Sequence, residues 1–243
     1  MKYWGAAIPG LTMNAKELPE IPGLLRLDNP EIGRGYKFGR FYTIEEAAQC
    51  HANHLCEQRE ILEENFTLMG MSMGGMLLSI LATELRAKLP AQCRFRFIVT
   101  SPNATELPAL PWSSLLGWII SLPRTQKKME RQLKHFFGPQ FQNQHPEKLQ
   151  DFFRSIATGE NEQSLPALVR QIHALRYFKG RKYFPRVNPK DAVFIGGGCD
   201  KVLGPKHSAL LRALVPGAIH RELPSLGHMV HLEAPEVFTK DYR

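Results

Sequence analysis

Ser72 stands between Gly70 and Gly74 in the run Asn-Phe-Thr-Leu-Met-Gly-Met-Ser-Met-Gly-Gly over residues 65–75, which changes character at the serine. The residues before it suit a buried strand, and Met76 to Ala82 suit a buried helix. A serine at such a junction sits on a strained strand-to-helix turn. The glycines remove side chains that would clash there, and the hydroxyl is left exposed above the end of a sheet. A serine hydroxyl is too weak an acid to attack a carbonyl unaided near neutral pH, so a base must take its proton as the bond forms. His228 and His231 are the imidazoles that follow the last expected strand, and Asp28 and Asp200 are carboxylates at strand ends. The glycine-serine-glycine spacing alone would arise by accident in roughly one chain in ten of this length, so its strand and helix surroundings carry the weight.

Two other clusters could do chemistry of a different kind. Cys50, His51, His54 and Cys56 are all capable zinc ligands. On a helix, however, Cys56 lies about 240° round from Cys50, so the four cannot converge, and no metal site is expected. Gly196, Gly197 and Gly198 follow an apolar run but lack the G-x-G-x-x-G spacing of a phosphate loop. They read instead as a flexible strand exit that lets Asp200 turn back over the sheet.

The elements that must position these groups alternate strand and helix. Strands are expected at Tyr3 to Ile8, Gly23 to Leu27, the segment before Ser72, Arg94 to Thr100, Asp191 to Gly198 and Ile219 to Leu223. Thr43 and Glu46 form a capping box opening a helix that should run to about Arg59, and His207 to Val215 reads as another helix. Between Ser101-Pro102-Asn103 and about Tyr183 the strand signal disappears. Leu115 to Leu122, Lys127 to Phe137, Leu149 to Ile156 and Leu165 to Tyr177 read as helices separated by Pro, Gly and polar breaks. The organisation expected is an α/β core over residues 1–104 and 184–243, with a helical lid inserted at 105–183.

The Gly-Met-Ser-Met-Gly-Gly turn in this setting resembles the nucleophile elbow of the α/β-hydrolase superfamily, and the resemblance covers Tyr3 to Phe238. It implies a mostly parallel central sheet flanked by helices. Pro9-Gly10-Leu11 is similar to the loop that presents an oxyanion donor, which would be the backbone N–H of Leu11, partnered by that of Met73. Many members have histidine where this chain has Pro9. Asp28-Asn29-Pro30-Glu31-Ile32-Gly33-Arg34-Gly35 resembles a turn whose role in the superfamily is architectural, which sets Asp28 aside. Asp200 matches the superfamily's acid, and Ser225-Leu226-Gly227-His228 its histidine loop, with Glu233-Ala234-Pro235-Glu236 opening a last helix. The loop match and the preceding glycine favour His228 over His231. The implied catalytic set is Ser72, Asp200 and His228. Among members, the chain looks most like small cytosolic carboxylesterases with a helical lid, including those that cleave methyl esters of acyl chains on an acyl carrier.

With 243 residues and 43% hydrophobic content, the chain can bury a substantial core. The start, Met1 to Ile8 followed by Pro9, is too short for a signal peptide, and the scattered cysteines lack a disulfide framework, so a cytoplasmic protein is expected. The apolar run from Trp112 to Leu122 is too short to span a bilayer. The net charge of +8 comes without an aromatic-interleaved basic stripe or a nucleic-acid motif, so nucleic acid is not the expected partner. Much of the charge falls in the expected lid, where it reads first as a solvated surface and second as a landing patch for an acidic carrier. Trp112, Leu115, Leu116, Trp118, Ile119 and Ile120 could line an acyl pocket beneath. The expected substrate is a small acyl ester or thioester, free or carrier-bound, cleaved without cofactor or metal. A carbon–carbon hydrolase or lyase on the same scaffold, or a non-catalytic binding member, are the alternatives.

Overall fold

The computed structural model describes residues 2–90, 93–101, 104, 134–157 and 164–238. Its strands are β1 (Tyr3–Ile8), β2 (Leu24–Arg26), β3 (Leu62–Met71), β4 (Arg94–Thr100), β5 (Ala192–Gly197) and β6 (Ile219–Leu223). They form one six-stranded sheet in the order β2-β1-β3-β4-β5-β6, every pair parallel. Parallel strands inside such a sheet are covered on both faces, and β1, the later part of β3 and β5 read as apolar runs for that reason, while β6 at the edge is polar and largely exposed. Side chains alternate between two cores. Ile8, Leu68, Phe97 and Phe194 face one, and Ala7, Met69, Ile98 and Val193 face the other.

The helices are α1 (Ile44–Glu57), α2 (Met73–Lys88), α3 (Pro139–Gln144), α4 (Pro146–Ala157), α5 (Leu165–Arg176), α6 (Gly180–Tyr183), α7 (Gly204–Leu214) and α8 (Val230–Glu233). Helix α1 starts on the expected capping box: Glu46 N donates to Thr43 Oγ1 at 3.1 Å, and Thr43 N donates to the Glu46 carboxylate at 2.9 Å. Its apolar residues join Leu77, Leu81 and Leu85 of α2 in the first core, while Val230 of α8, Val237 and Phe238 cover the opposite face.

The helix expected to open at Glu233 is instead the short α8, which ends there, and Pro235–Phe238 forms a 3-10 turn. Ala234, at φ −141° and ψ 69°, has left the helical region, as the steric demand of a following proline requires. Within the segment expected to be a lid, α3 to α6 are helical, while residues 105–133 lie outside the described residues. The helix expected at Leu115 to Leu122, most of that at Lys127 to Phe137, and the acyl-pocket residues from Trp112 to Ile120 fall there. Among the described residues, no helix is long and apolar enough to cross a membrane.

The topology itself marks a position. After β1 the chain moves outward to β2, and after β3 it moves the opposite way to β4, so the connections diverge between β1 and β3. Crevices at the carboxyl ends of strands flanking such a divergence are where open parallel sheets bind ligands.

Candidate active site

Ser72 lies at that divergence, directly after β3. Its backbone has φ 50° and ψ −110°, and its N–H donates to Thr100 O at 2.9 Å, tying the turn to β4. The glycines around it are there for want of space. A Cβ on Gly70 would lie 2.6 Å from the Gly74 backbone, and one on Gly74 would lie 2.2 Å from Ile8 O. Strand β3, helix α2 and strand β1 therefore meet backbone to backbone at the turn. A Cβ on Gly10, in the loop after β1, would stand 3.5 Å from Ser72 Cβ, which puts that loop beside the serine.

Among the described residues, four that are not glycine have left-handed φ: Thr12 at 70°, Glu31 at 72°, Ser72 at 50° and Ser101 at 45°. They follow β1, β2, β3 and β4 respectively, so all lie at the carboxyl edge of the sheet. Each such conformation costs about 1–3 kcal/mol, and strain of this kind collects where geometry serves function.

Asp200 follows β5 and His228 follows β6. His228 Nδ1 lies 2.8 Å from Asp200 Oδ2, and both side chains are buried. Asp200 Oδ1 accepts the N–H groups of Val202 at 2.7 Å and Leu203 at 3.0 Å. Burial pushes the Asp200 carboxyl up, but the hydrogen bond and charge of His228 and the two amides outweigh it, holding the group below the usual carboxylate range. An ionised carboxylate only accepts, so the proton in this bond is on Nδ1, and Nε2 is the ring nitrogen left to exchange a proton with a substrate.

Two features hold the histidine loop. His228 N and Met229 N both donate to Phe136 O, at 2.6 and 3.1 Å, and the Phe136 ring meets the imidazole edge-on at 5.8 Å. Glu233 accepts Gly227 N at 2.9 Å with one oxygen and Gly138 N at 2.8 Å with the other. Its carboxyl is raised by burial, against the lowering effect of those amides. The role of Glu233 was invisible in the sequence, where it reads only as the start of a helix. No local pattern signals a carboxylate whose partners lie 6 and 95 residues away.

The flanking residues draw the pieces together. Met71 precedes Ser72, Met229 follows His228 and Met13 ends the loop after β1, and all three pack with Phe137, Phe141 and Phe153 in one buried cluster. His231 is fully buried, its ring nitrogens have no hydrogen-bond partner among the described residues, and burial followed by the charge of His228 lowers its pKa to about 3. It is His228 that meets the carboxylate. Asp28 spends both oxygens on backbone, accepting Ala15 N at 2.6 Å and Arg34 N at 2.9 Å.

A cavity of about 1030 Å³ runs along β2 and α1, lined by Lys16, Arg34, Cys50, His51 and His54 among others, and includes none of Ser72, Asp200 and His228. Burial and then Glu46 push the Cys50 thiol up, opposite to what a nucleophilic thiolate needs. The chemistry is better sought at the strand ends than in this cavity.

No curated protein matches the sequence. Among solved structures, the enol-lactonase from Burkholderia xenovorans LB400 is similar at a TM-score of 0.73 and 19% identity, covering 99% of this chain and 89% of that one. An esterase from Exiguobacterium antarcticum gives 0.71 and 19%, covering 98% and 90%. A hydrolase from Pseudomonas aeruginosa PA01 gives 0.72 and 20%, covering 98% and 87%. At these identities the likeness is one of fold. The model of the alpha/beta hydrolase family matches residues 8–240. With that match across nearly its whole length, and with the parallel sheet described above, the chain belongs to the alpha/beta hydrolase family.

Proposed function

We propose that this chain is a serine hydrolase that cleaves a carboxylic ester or thioester through an acyl-enzyme. Ser72 Oγ attacks the acyl carbonyl while His228 Nε2 takes its proton. Asp200 keeps the imidazole in the required tautomer and stabilises the imidazolium. The tetrahedral oxyanion is held by the backbone N–H groups of Met73 and Leu11. Met73 is the first residue of α2, where amides have no intrahelical acceptor. Imidazolium then protonates the departing alcohol or thiol. Water, deprotonated by the same histidine, releases the acid and restores Ser72. The scheme uses no cofactor or metal.

The observation that carries this reading is the 2.8 Å Asp200–His228 pair, buried at the same sheet edge as a serine in a strained backbone conformation. The solved relatives include an esterase and an enol-lactonase, both of which open acyl–oxygen bonds. We further propose that the inserted segment 105–183 acts as a lid that sizes the acyl pocket. The substrate is a small acyl ester or thioester, free or on an acidic carrier, met in the cytoplasm.

Hydrolysis of p-nitrophenyl acetate, butyrate, octanoate and palmitate by wild type and Ser72→Ala tests this. Turnover that depends on Ser72 supports acyl transfer, and the preferred chain length measures the pocket. A well-folded wild type that is inert towards all four, and towards the matching acyl thioesters, contradicts it.

A further inference from the structure

The loop after β1 carries Leu11, and two buried amide side chains grip the peptide groups on either side of that residue. Asn29 Nδ2 donates to Pro9 O at 2.8 Å and to Gly10 O at 2.9 Å. Gln171 Oε1 accepts Thr12 N at 3.2 Å, while its Nε2 donates to Pro30 O at 3.1 Å. Both side chains are fully buried. Thr12 is one of the residues at positive φ, so the turn needs such restraint.

Peptide planarity turns these bonds into a statement about direction. In a trans peptide the C=O and the following N–H point opposite ways, and none of the described peptide bonds is cis. With Gly10 O fixed on Asn29, the Leu11 N–H is aimed away from Asn29. With Thr12 N–H fixed on Gln171, the plane following Leu11 is fixed as well. Gly10 itself lies against Ser72, as the space around its Cα records.

We infer that Asn29 and Gln171 are positioning residues for the oxyanion site, aiming the Leu11 N–H without touching substrate; this rests on the proposed role of Ser72. Gln171 belongs to α5, so the clamp also makes the donor's direction depend on the docking of a helix from the inserted segment. That docking is reinforced nearby. Leu11 packs on Leu168 and Ile172, and Arg170 meets Glu31 at 2.8 Å and Gly39 O at 3.2 Å. Helix α5 is thus fastened both to the loop after β1 and to the loop after β2.

The test compares Asn29→Leu and Gln171→Met, which keep approximate volume and remove the hydrogen bonds, with wild type. Four quantities are measured: kcat and KM on p-nitrophenyl butyrate, inhibition by butylboronic acid, melting temperature, and amide exchange of the peptide spanning residues 9–14. Butylboronic acid forms a tetrahedral anion on a serine and so reports the oxyanion site directly. Loss of one oxyanion donor typically lowers kcat by about a hundredfold to a thousandfold. We expect Asn29→Leu to approach that loss, and Gln171→Met to lose about tenfold. KM should stay within about threefold, boronate affinity should fall in step with kcat, and exchange at residues 9–14 should quicken. Folded variants with unchanged kcat and boronate affinity overturn the inference. So does a loss of activity that merely tracks the unfolded fraction. If one variant does not fold, the other carries the same readouts. If wild type neither hydrolyses esters nor binds boronate, the proposed function fails, and the exchange arm alone decides whether the amides hold the loop.

Discussion

Ser72 combines a nucleophilic side chain with a backbone that an L-residue adopts at a cost. Its φ of 50° and ψ of −110° mirror a conformation that L-residues adopt readily, and glycine reaches either hand with equal ease. Ser72→Gly should therefore be inactive yet at least as stable as wild type, with up to about 1 kcal/mol gained where strain relief exceeds glycine's entropic cost. Paired chemical denaturation of wild type, Ser72→Gly and Ser72→Ala checks this, and a large destabilisation of the glycine variant contradicts it. The Asp200–His228 bond makes a separate prediction. Asp200→Asn preserves shape but lets the amide favour the wrong imidazole tautomer, and kcat should fall by about ten-thousandfold with little change in melting temperature. A loss of only a few-fold on the best ester would remove Asp200 from the mechanism.

The turn between β3 and α2 is set by contacts between backbones, so it should tolerate no methyl group. Gly74→Ala would drive a Cβ to 2.2 Å from Ile8 O, where no side chain can yield, and should destabilise by more than about 2 kcal/mol with loss of activity. At the histidine loop, Glu233→Gln leaves one of two buried amides facing an NH2 group. The cost should be about 2 kcal/mol, or about 4–8 °C in melting temperature for a chain of this size. Differential scanning calorimetry reads both. Two strands were legible because they are largely buried runs: Tyr3–Ile8 and Arg94–Thr100 fall where the apolar pattern puts them. The capping box at Thr43 was legible because its two bonds span three residues. Helix α3 was not, since Pro-Gln-Phe-Gln-Asn-Gln carries one buried apolar residue, Phe141, and so has no periodicity to read. Glu233, Asn29 and Gln171 escaped for a different reason. Each acts on backbone groups brought near only by the fold, and side chain-to-backbone pairing outside a local motif such as the capping box leaves no trace in residue type.

Across the whole molecule, burial of titratable groups makes stability depend on pH. His51 and His231 have pKa values lowered to about 4 and about 3 from 6.5, in both cases mainly by burial. Charges facing His51 are His54, which lowers it, and Asp28, which raises it; the charge facing His231 is that of His228. In the window below 6.5 the unfolded chain binds protons at these sites and the folded chain does not, so stability falls as pH falls. Glu17 acts in the opposite sense. Burial raises it from 4.5 to about 7 against a backbone hydrogen bond at Asn14, so the folded state binds the extra proton and gains stability as pH drops through that range. For these three groups, two histidines against one carboxyl leave a net loss on acidification from pH 7.5 to 5, on the order of 2 kcal/mol; His207 and His220, lowered mainly by burial, add to it, and Glu233, raised by burial, subtracts from it. Urea midpoints at the two pH values should show it, and His231→Phe should shrink the difference; equal midpoints in wild type would contradict the assignment. The central claim concerns the intact protein as a catalyst that acylates one serine. Its most direct test is the intact mass after exposure to a fluorophosphonate, followed by peptide mapping. A single adduct on Ser72, formed by wild type and abolished in a folded His228→Ala, is the predicted result. No adduct on a folded wild type, or one placed on another residue, would contradict the account.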